Sequence, residues 1–302
     1  MRSLSPKKII GAVALFAVIL ISVYLTFVRS NKVVLVEPMV KLPTVATTTE
    51  TMVVLPRKVI GKSVLDRPIE AFTYGRGKTN LLFVGGMHGG YEWNSVVLAY
   101  QFLDYLDAHP EFVPKNVTIT VIPSLNPDGV FEVVRKEGRF TTADVPKNIK
   151  VVGTGRMNAH KVDLNRNFDC KWQPKSMWKG NVVSAGTSAF SEPESQALHA
   201  LVLETHPDAV IFWHSQSGSV YASQCKEGIL PETLSIMNVY AKASGYSPVK
   251  SFDAYAITGD SEGWLASIGI PAITVELKTH ETVEWKENLA GIKALLDHNK
   301  TI

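Results

Sequence analysis

The spacing of apolar positions changes along this chain, and the changes divide it into segments. Ile9 to Val28 is an unbroken apolar run of 20 residues without a charge. At about 1.5 Å per residue, that length crosses a hydrocarbon core of about 30 Å. The pattern then breaks at Pro38, Pro43 and Pro56 around the polar tract Thr47 to Thr51. A mostly extended spacer is predicted there, although its VVLV and MVV pieces also suit edge strands.

From Arg57 onward, short apolar runs alternate with helical periods. LLFVGG, starting at Leu81, predicts a buried strand that stops on glycines. The helix after it repeats Val96, Val97, Tyr100, Leu103 and Leu106 on one face. Asn116 to Pro123 reads as a strand followed by the turn signal Asn126-Pro127-Asp128-Gly129. Ser191-Glu192-Pro193-Glu194 fits a capping box that opens a helix with Ala197, Leu198, Leu201 and Leu203 on its apolar face. Asp208 to His214 and Pro271 to Leu277 are apolar strands. Helices are predicted after Pro231, over Ser261 to Ile268 and from Val283 to His298. This alternation predicts an α/β fold: a mixed, mostly parallel twisted sheet with helices on both faces, preceded by one N-terminal transmembrane helix. The predicted divisions are 1–8 cytoplasmic, 9–28 signal anchor, 29–56 linker and 57–302 catalytic domain.

Composition alters this picture mainly at the N-terminus. The 302 residues are 45% apolar with a formal net charge of +3, and both excesses sit near the apolar run. Arg2, Lys7, Lys8, Arg29 and Lys32 precede any acid; taking these five from 31 basic residues leaves 26 against 28 acidic ones. A near-neutral body argues against a nucleic-acid partner. More positive charge before the run than after it favours a cytoplasmic N-terminus, with the domain outside the cytoplasm and membrane contact through this helix. A cleavable signal peptide has a shorter apolar region and a small-x-small site, which the end of this run lacks, so the first expectation is an uncleaved anchor. Secretion after cleavage is the alternative. Cys170 and Cys225 would then lie where a disulfide persists, and neither spacing resembles a zinc knuckle or a CxxC redox pair. Oligomeric state leaves no signal.

The chemistry starts at His88 and Glu92, which follow Gly85-Gly86 at a strand's carboxyl end, where open α/β sheets keep their sites. A histidine beside a turn is more often solvated than metallated, so the pair needs a third ligand. His214 ends a second apolar strand and completes a two-histidine, one-carboxylate set, the ligand type of catalytic zinc sites that leave a fourth position to water. Glu276, near the end of another strand, suits a general base that takes a proton from water and passes it to a leaving amine. An oxyanion forming at an amide needs a fixed positive donor. Arg156 and Arg166 are the arginines near the polar cluster Asp163, Asn165, Arg166 and Asn167. His109, His199, His206, His280 and His298 read as solvated surface residues, and His160 as part of the polar loop.

GMHGGYEWN, NPDG, RMNAHKVDLNRNF, SEPE, FWHS, AYAITGDSEGW and PAITVEL, in that order, resemble the zinc metallocarboxypeptidases related to carboxypeptidases A and B, particularly compact bacterial members. The resemblance covers residues 57–302. It implies one zinc ion bound by His88, Glu92 and His214, with Glu276 as base and Arg156 polarising the scissile carbonyl. It further implies that Asn165 and Arg166 grip the substrate's terminal carboxylate, that Asp163 accepts the ring N–H of His88, and that Tyr255 closes over substrate. Glu262 falls where the family's specificity residue sits, implying preference for a terminal residue with an amino or guanidino group; the same residue equally suits the start of the helix near Ser261. Three departures accompany the match. Three residues instead of two separate His88 from Glu92, Arg156 lies only ten residues before Arg166, and Gly263 replaces a common aspartate. The implied activity is hydrolysis of C-terminal peptide bonds, in peptides or in cell-wall (murein) stem peptides. A zinc deacylase of N-acyl amino acids and a non-catalytic binding module on the same fold are the alternatives.

Overall fold

Eight strands build one sheet. The computed structural model describes residues 54–298, together with Ser22 and Leu25. The chain divides into two compact units, Met1–Glu50 and Thr51–Ile302, and the second holds the sheet. Among the described residues no helix is long and apolar enough to cross a membrane; the run from Ile9 to Val28 lies outside them except at Ser22 and Leu25.

The strands are β1 (Val54–Lys62), β2 (Pro68–Gly75), β3 (Thr79–Val84), β4 (Val117–Ile122), β7 (Ala209–Ser215), β8 (Ser219–Ala222), β9 (Ser247–Val249) and β10 (Ala272–Leu277), and they lie in the order β1-β2-β4-β3-β7-β10-β8-β9. A separate ribbon pairs β5 (Lys175–Trp178) with β6 (Asn181–Ser184). The centre of the sheet, β4-β3-β7-β10, is parallel throughout. Its flanks add the antiparallel pairs β1-β2, β2-β4 and β10-β8. With β8-β9 also parallel, four of the seven pairings are parallel and the sheet is mixed and mostly parallel, as the sequence predicted; the antiparallel pairs arise where β1 and β2 form a hairpin at one edge and β8 reverses direction to lie beside β10.

The helices are α1 (Trp93–Ala108), α2 (Pro127–Val134), α3 (Ile149–Gly153), α4 (Pro193–Thr205), α5 (Pro231–Ser244), α6 (Ser261–Ser267) and α7 (Trp285–His298). Strand side chains alternate between faces, and so divide the core in two. Phe83, Ile119, Ile211, Trp213 and Val275 pack on one face with Phe102, Tyr240 and Ile292 from α1, α5 and α7. Leu82, Val84, Val210 and Phe212 pack on the other with Leu198, Leu201 and Trp264 from α4 and α6. Burial on both faces explains why β7 is enclosed at all seven positions and why its sequence shows no polar alternation.

Three local expectations change. NPDG is not a free turn but the start of α2: Asn126 accepts from the Gly129 backbone N–H at 2.8 Å, and Pro127 occupies the first helical turn. In SEPE the N-cap is Glu192 without a capping bond. Ser191 Oγ donates to Glu192 Oε1 at 2.8 Å instead of closing a capping box. On α4, Leu203 is exposed while Val202 is buried, since a step of four from Leu198 returns to the core face and a step of five does not.

Candidate active site

The site forms where three adjacent parallel strands stop together. β3 leads through Gly85-Gly86 to His88, β7 carries His214, and β10 carries Glu276 directly beside His214 in register. In-register neighbours on adjacent strands share a face at about 4.8 Å, so the pairing alone places the predicted base next to a predicted ligand.

The residue added between His88 and Glu92 is absorbed by a 3₁₀ turn over Gly89–Glu92, ahead of α1. Gly89 makes this turn at φ +46°, and a Cβ there would lie 2.7 Å from the Gly155 carbonyl oxygen, so glycine alone fits. Glu92 is thereby returned to the site. Its Oε1 lies 2.8 Å from His88 Nδ1 and its Oε2 2.9 Å from His214 Nδ1, while the two Nδ1 atoms are 3.2 Å apart. Ligands about 2.0–2.1 Å from a tetrahedral zinc stand roughly 3.3 Å from each other, so these separations already approach one face of such a tetrahedron. All three residues are buried, and among the described residues they form the one group of three or more suited to a metal. His88 is oriented from behind, its Nε2 lying 3.2 Å from Asp163 Oδ1. The donor set fits zinc.

Electrostatics follow this packing. Burial would raise the Glu92 carboxyl, but the His88 and His214 charges and hydrogen bonds hold it well below its ordinary range. Burial likewise opposes ionisation of Asp163, and Arg156 and His88 outweigh it. Against its own burial, His214 is pushed up to about 9, chiefly by Glu92. Glu276 goes the other way: removal from water, then the Glu92 charge, lifts it to about 7. It is half-buried at the cleft, with its Oε2 enclosed and free of any hydrogen bond.

A cleft of about 660 Å³ opens beside these groups and is lined by every predicted site residue except Asp163. Arg156 Nη2 pairs with Asp163 Oδ2 at 2.8 Å, and its Nη1 lies 3.7 Å from Glu92 Oε1. Arg166 donates to carbonyls, those of Asn165 at 2.6 Å and Met177 at 3.2 Å, while the Asp163 and Asp260 carboxylates feel its charge without a direct salt bridge to it. Asn165 Oδ1 accepts from the Ser261 N–H and hydroxyl, which leaves its amide nitrogen without a protein acceptor. Tyr255 is half-buried, with its ring 4.8 Å from that of Phe252. Glu262, in the first turn of α6, is buried; it accepts from Thr274 and Ser261 hydroxyls, and its Oε1 is 3.6 Å from His214 Nε2. Asp260, rather than Glu262, caps α6, accepting from the Gly263 N–H at 2.7 Å. A Cβ on Gly263 would meet the Asp260 carboxylate at 2.8 Å, which accounts for the glycine there. Cys170 and Cys225 are disulfide-bonded, and Cys170 lines the cleft.

Asn158 escaped the sequence reading, and the partners of His160 and Asn167, which it placed in the polar loop and cluster, appear only in the fold. Asn158 donates to Glu192 and Glu194, His160 pairs with Glu192, and Asn167 bonds the same N-terminus of α4. SEPE therefore pins the loop that carries Arg156, Asp163, Asn165 and Arg166. Tyr91, Trp178, Lys179 and Gln216 also line the cleft. Of these, only Trp178 left a signal, in the Lys179-Gly180 hairpin turn that follows it.

The family profile for zinc carboxypeptidases matches residues 47–289. The chain belongs to the zinc carboxypeptidase family. That family is named for its zinc, and among the described residues His88, Glu92 and His214 are the group suited to such a metal. Among curated relatives, it is 25% identical over 238 residues to gamma-D-glutamyl-L-diamino acid endopeptidase 1 of Lysinibacillus sphaericus, covering 72% of this chain and 59% of that protein. The chain spans about three fifths of the length of the first curated relatives it matches. Among solved structures, thrombin activatable fibrinolysis inhibitor aligns with a TM-score of 0.65 at 21% identity, over 81% of this chain and 69% of that one. Murein-tripeptide amidase MpaA from Escherichia coli O157 aligns with a TM-score of 0.56 at 24% identity, over 81% and 93%. At these identities the structures speak for the fold.

Proposed function

We propose that this zinc carboxypeptidase is membrane-anchored and extracytoplasmic, and that it hydrolyses the amide bond before a C-terminal residue bearing an amino or guanidino group, murein stem peptides included. The observation that carries the reading is Glu276, a carboxylate with an unpartnered oxygen held beside the metal donors by the β7-β10 register. A zinc ion held by His88, Glu92 and His214 supplies Lewis acidity that activates water and polarises a carbonyl. Glu276 takes the proton of the attacking water and returns it to the leaving nitrogen, a role suited to a carboxyl lifted to about 7. Arg156 meets the charge that develops on the carbonyl oxygen.

On the leaving side, Asn165 and Arg166 receive the terminal carboxylate, Arg166 as a fork. Glu262 meets the substrate's cationic side chain, and Tyr255 covers it. The names of two similar proteins support a stem-peptide substrate, one acting on a gamma-D-glutamyl-L-diamino acid bond and the other on murein tripeptide. The apolar run from Ile9 to Val28 and the Cys170–Cys225 disulfide support an oxidising, extracytoplasmic setting.

Mass spectrometry of products from stem peptides and from a mixed C-terminal peptide library tests the substrate. Lysine or diaminopimelate should be released ahead of phenylalanine, and faster release of phenylalanine would sink the assignment. Glu276→Gln should retain zinc while hydrolysis falls about 10²–10⁴-fold; unchanged hydrolysis would show that another group is the base.

A further inference from the structure

The β5-β6 ribbon turns at Lys179 and Gly180, both with positive φ, and this turn sets Trp178 against the cleft. There the indole lies beneath Arg156, whose guanidinium carbon is 4.2 Å from the ring centre. Arg156 is 4% exposed, yet hydrogen bonds fix it poorly. Only Nη2 has a short partner, Asp163; Nη1 stands 3.7 Å from Glu92, and Nε is enclosed with none. One bond leaves the guanidinium plane free to swing. Its face, by contrast, is held: the Tyr91 ring centre lies 5.7 Å away on the same group.

The rings support one another. Trp178 and Tyr91 meet edge to face at 5.5 Å, and Tyr91 packs on His280 at 4.6 Å. His280 Nδ1 is 2.8 Å from Ser215 Oγ, which donates to Asn94 Oδ1 at 3.0 Å. The stack thus runs from the guanidinium back to β7 and α1, the elements that carry or adjoin the metal donors.

We propose that Trp178, backed by Tyr91 and His280, is a positioning residue: its ring face sets the plane of the Arg156 guanidinium and leaves the N–H edge to meet the developing oxyanion. A cation over an aromatic face is attracted by the ring quadrupole without spending a donor, so the stack orients Arg156 while its hydrogen bonds stay available to the reaction. This rests on the proposed role of Arg156.

Steady-state kinetics of the zinc-loaded full chain on benzoyl-glycyl-lysine test it. Trp178→Ala should lower kcat about 3–30-fold with KM within about twofold, the range expected for a desolvated cation–π contact acting in the transition state. Trp178→Phe, which keeps a ring face, should recover most of the loss. On an Arg156→Ala background, Trp178→Ala should change nothing further. Should Trp178→Ala lose zinc, Trp178→Leu carries the same comparison with less lost volume. A raised KM at unchanged kcat, or an equal fold-loss on both backgrounds, overturns the proposal. If Arg156→Ala itself leaves kcat unchanged, the role of Arg156 fails; if Arg156→Ala is impaired while Trp178→Ala is silent, only the stack fails.

Discussion

His214 and Glu276 hang from strands packed between two helical layers, whereas Trp178 sits on a two-stranded ribbon and Tyr255 on an irregular segment. In the first region, parallel hydrogen bonding fixes which residues are neighbours before any side chain acts. In the second, position depends on particular contacts: a ring stack at Arg156, the Cys170–Cys225 bond, and the Gly259 N–H to Cys170 carbonyl hydrogen bond at 2.7 Å. Under the proposed function, the base and a metal donor come from rigid strand ends, while the walls orient Arg156 and cover the substrate, the division expected where loops are carried by a scaffold.

Substitutions at each level sharpen this contrast. At a donor, loss should be complete: Glu92→Ala is expected to leave the dialysed protein without stoichiometric zinc and without hydrolysis, checked by elemental analysis. Retained zinc would mean that the 3₁₀ turn does not deliver a ligand. On the cleft wall, Glu262→Gln should reduce the preference for C-terminal lysine over phenylalanine about 10–100-fold, as for a desolvated charge pair, with zinc content unchanged. Equal losses on both substrates would instead tie Glu262 to His214, 3.6 Å away.

The smallest change concerns a cap. Removal from water, then Glu262, raises the Asp260 carboxyl to about 6. A folded-state pKa above the unfolded value means that the folded protein binds the extra proton, so this group's contribution to stability falls as pH rises from about 4 through 6. Asparagine caps a helix about as well as aspartate and carries no charge. Metal-free Asp260→Asn should therefore melt about 2–6 °C above the parent at pH 8 and match it near pH 4, by calorimetry. A gain at pH 4 as large as at pH 8 would reject the charge explanation.

Strand ends with histidines could be read along the chain because burial on both faces leaves few polar residues in β3 and β7, so the exceptions stand out. His88, His214 and Glu276 were legible for that reason. Glu92 depended on whether one extra residue bends inward, which Gly89 and its contact with Gly155 decide. The network of Asn158 and Asn167 with Glu192 and Glu194 was not legible, since buried polar groups look like surface ones until their partners are known. His280 was read as solvated for the same reason, and it is half-buried against Tyr91.

Apolar periodicity, glycine stops and motif order thus determined the layered sheet and the family and marked the candidate site residues, because each is a local property of consecutive positions. Tertiary structure decided the rest: the antiparallel flanks, the convergence of three donors within 4.8 Å, and the indole under Arg156. These depend on distances between residues far apart in the chain, which spacing along a backbone does not encode.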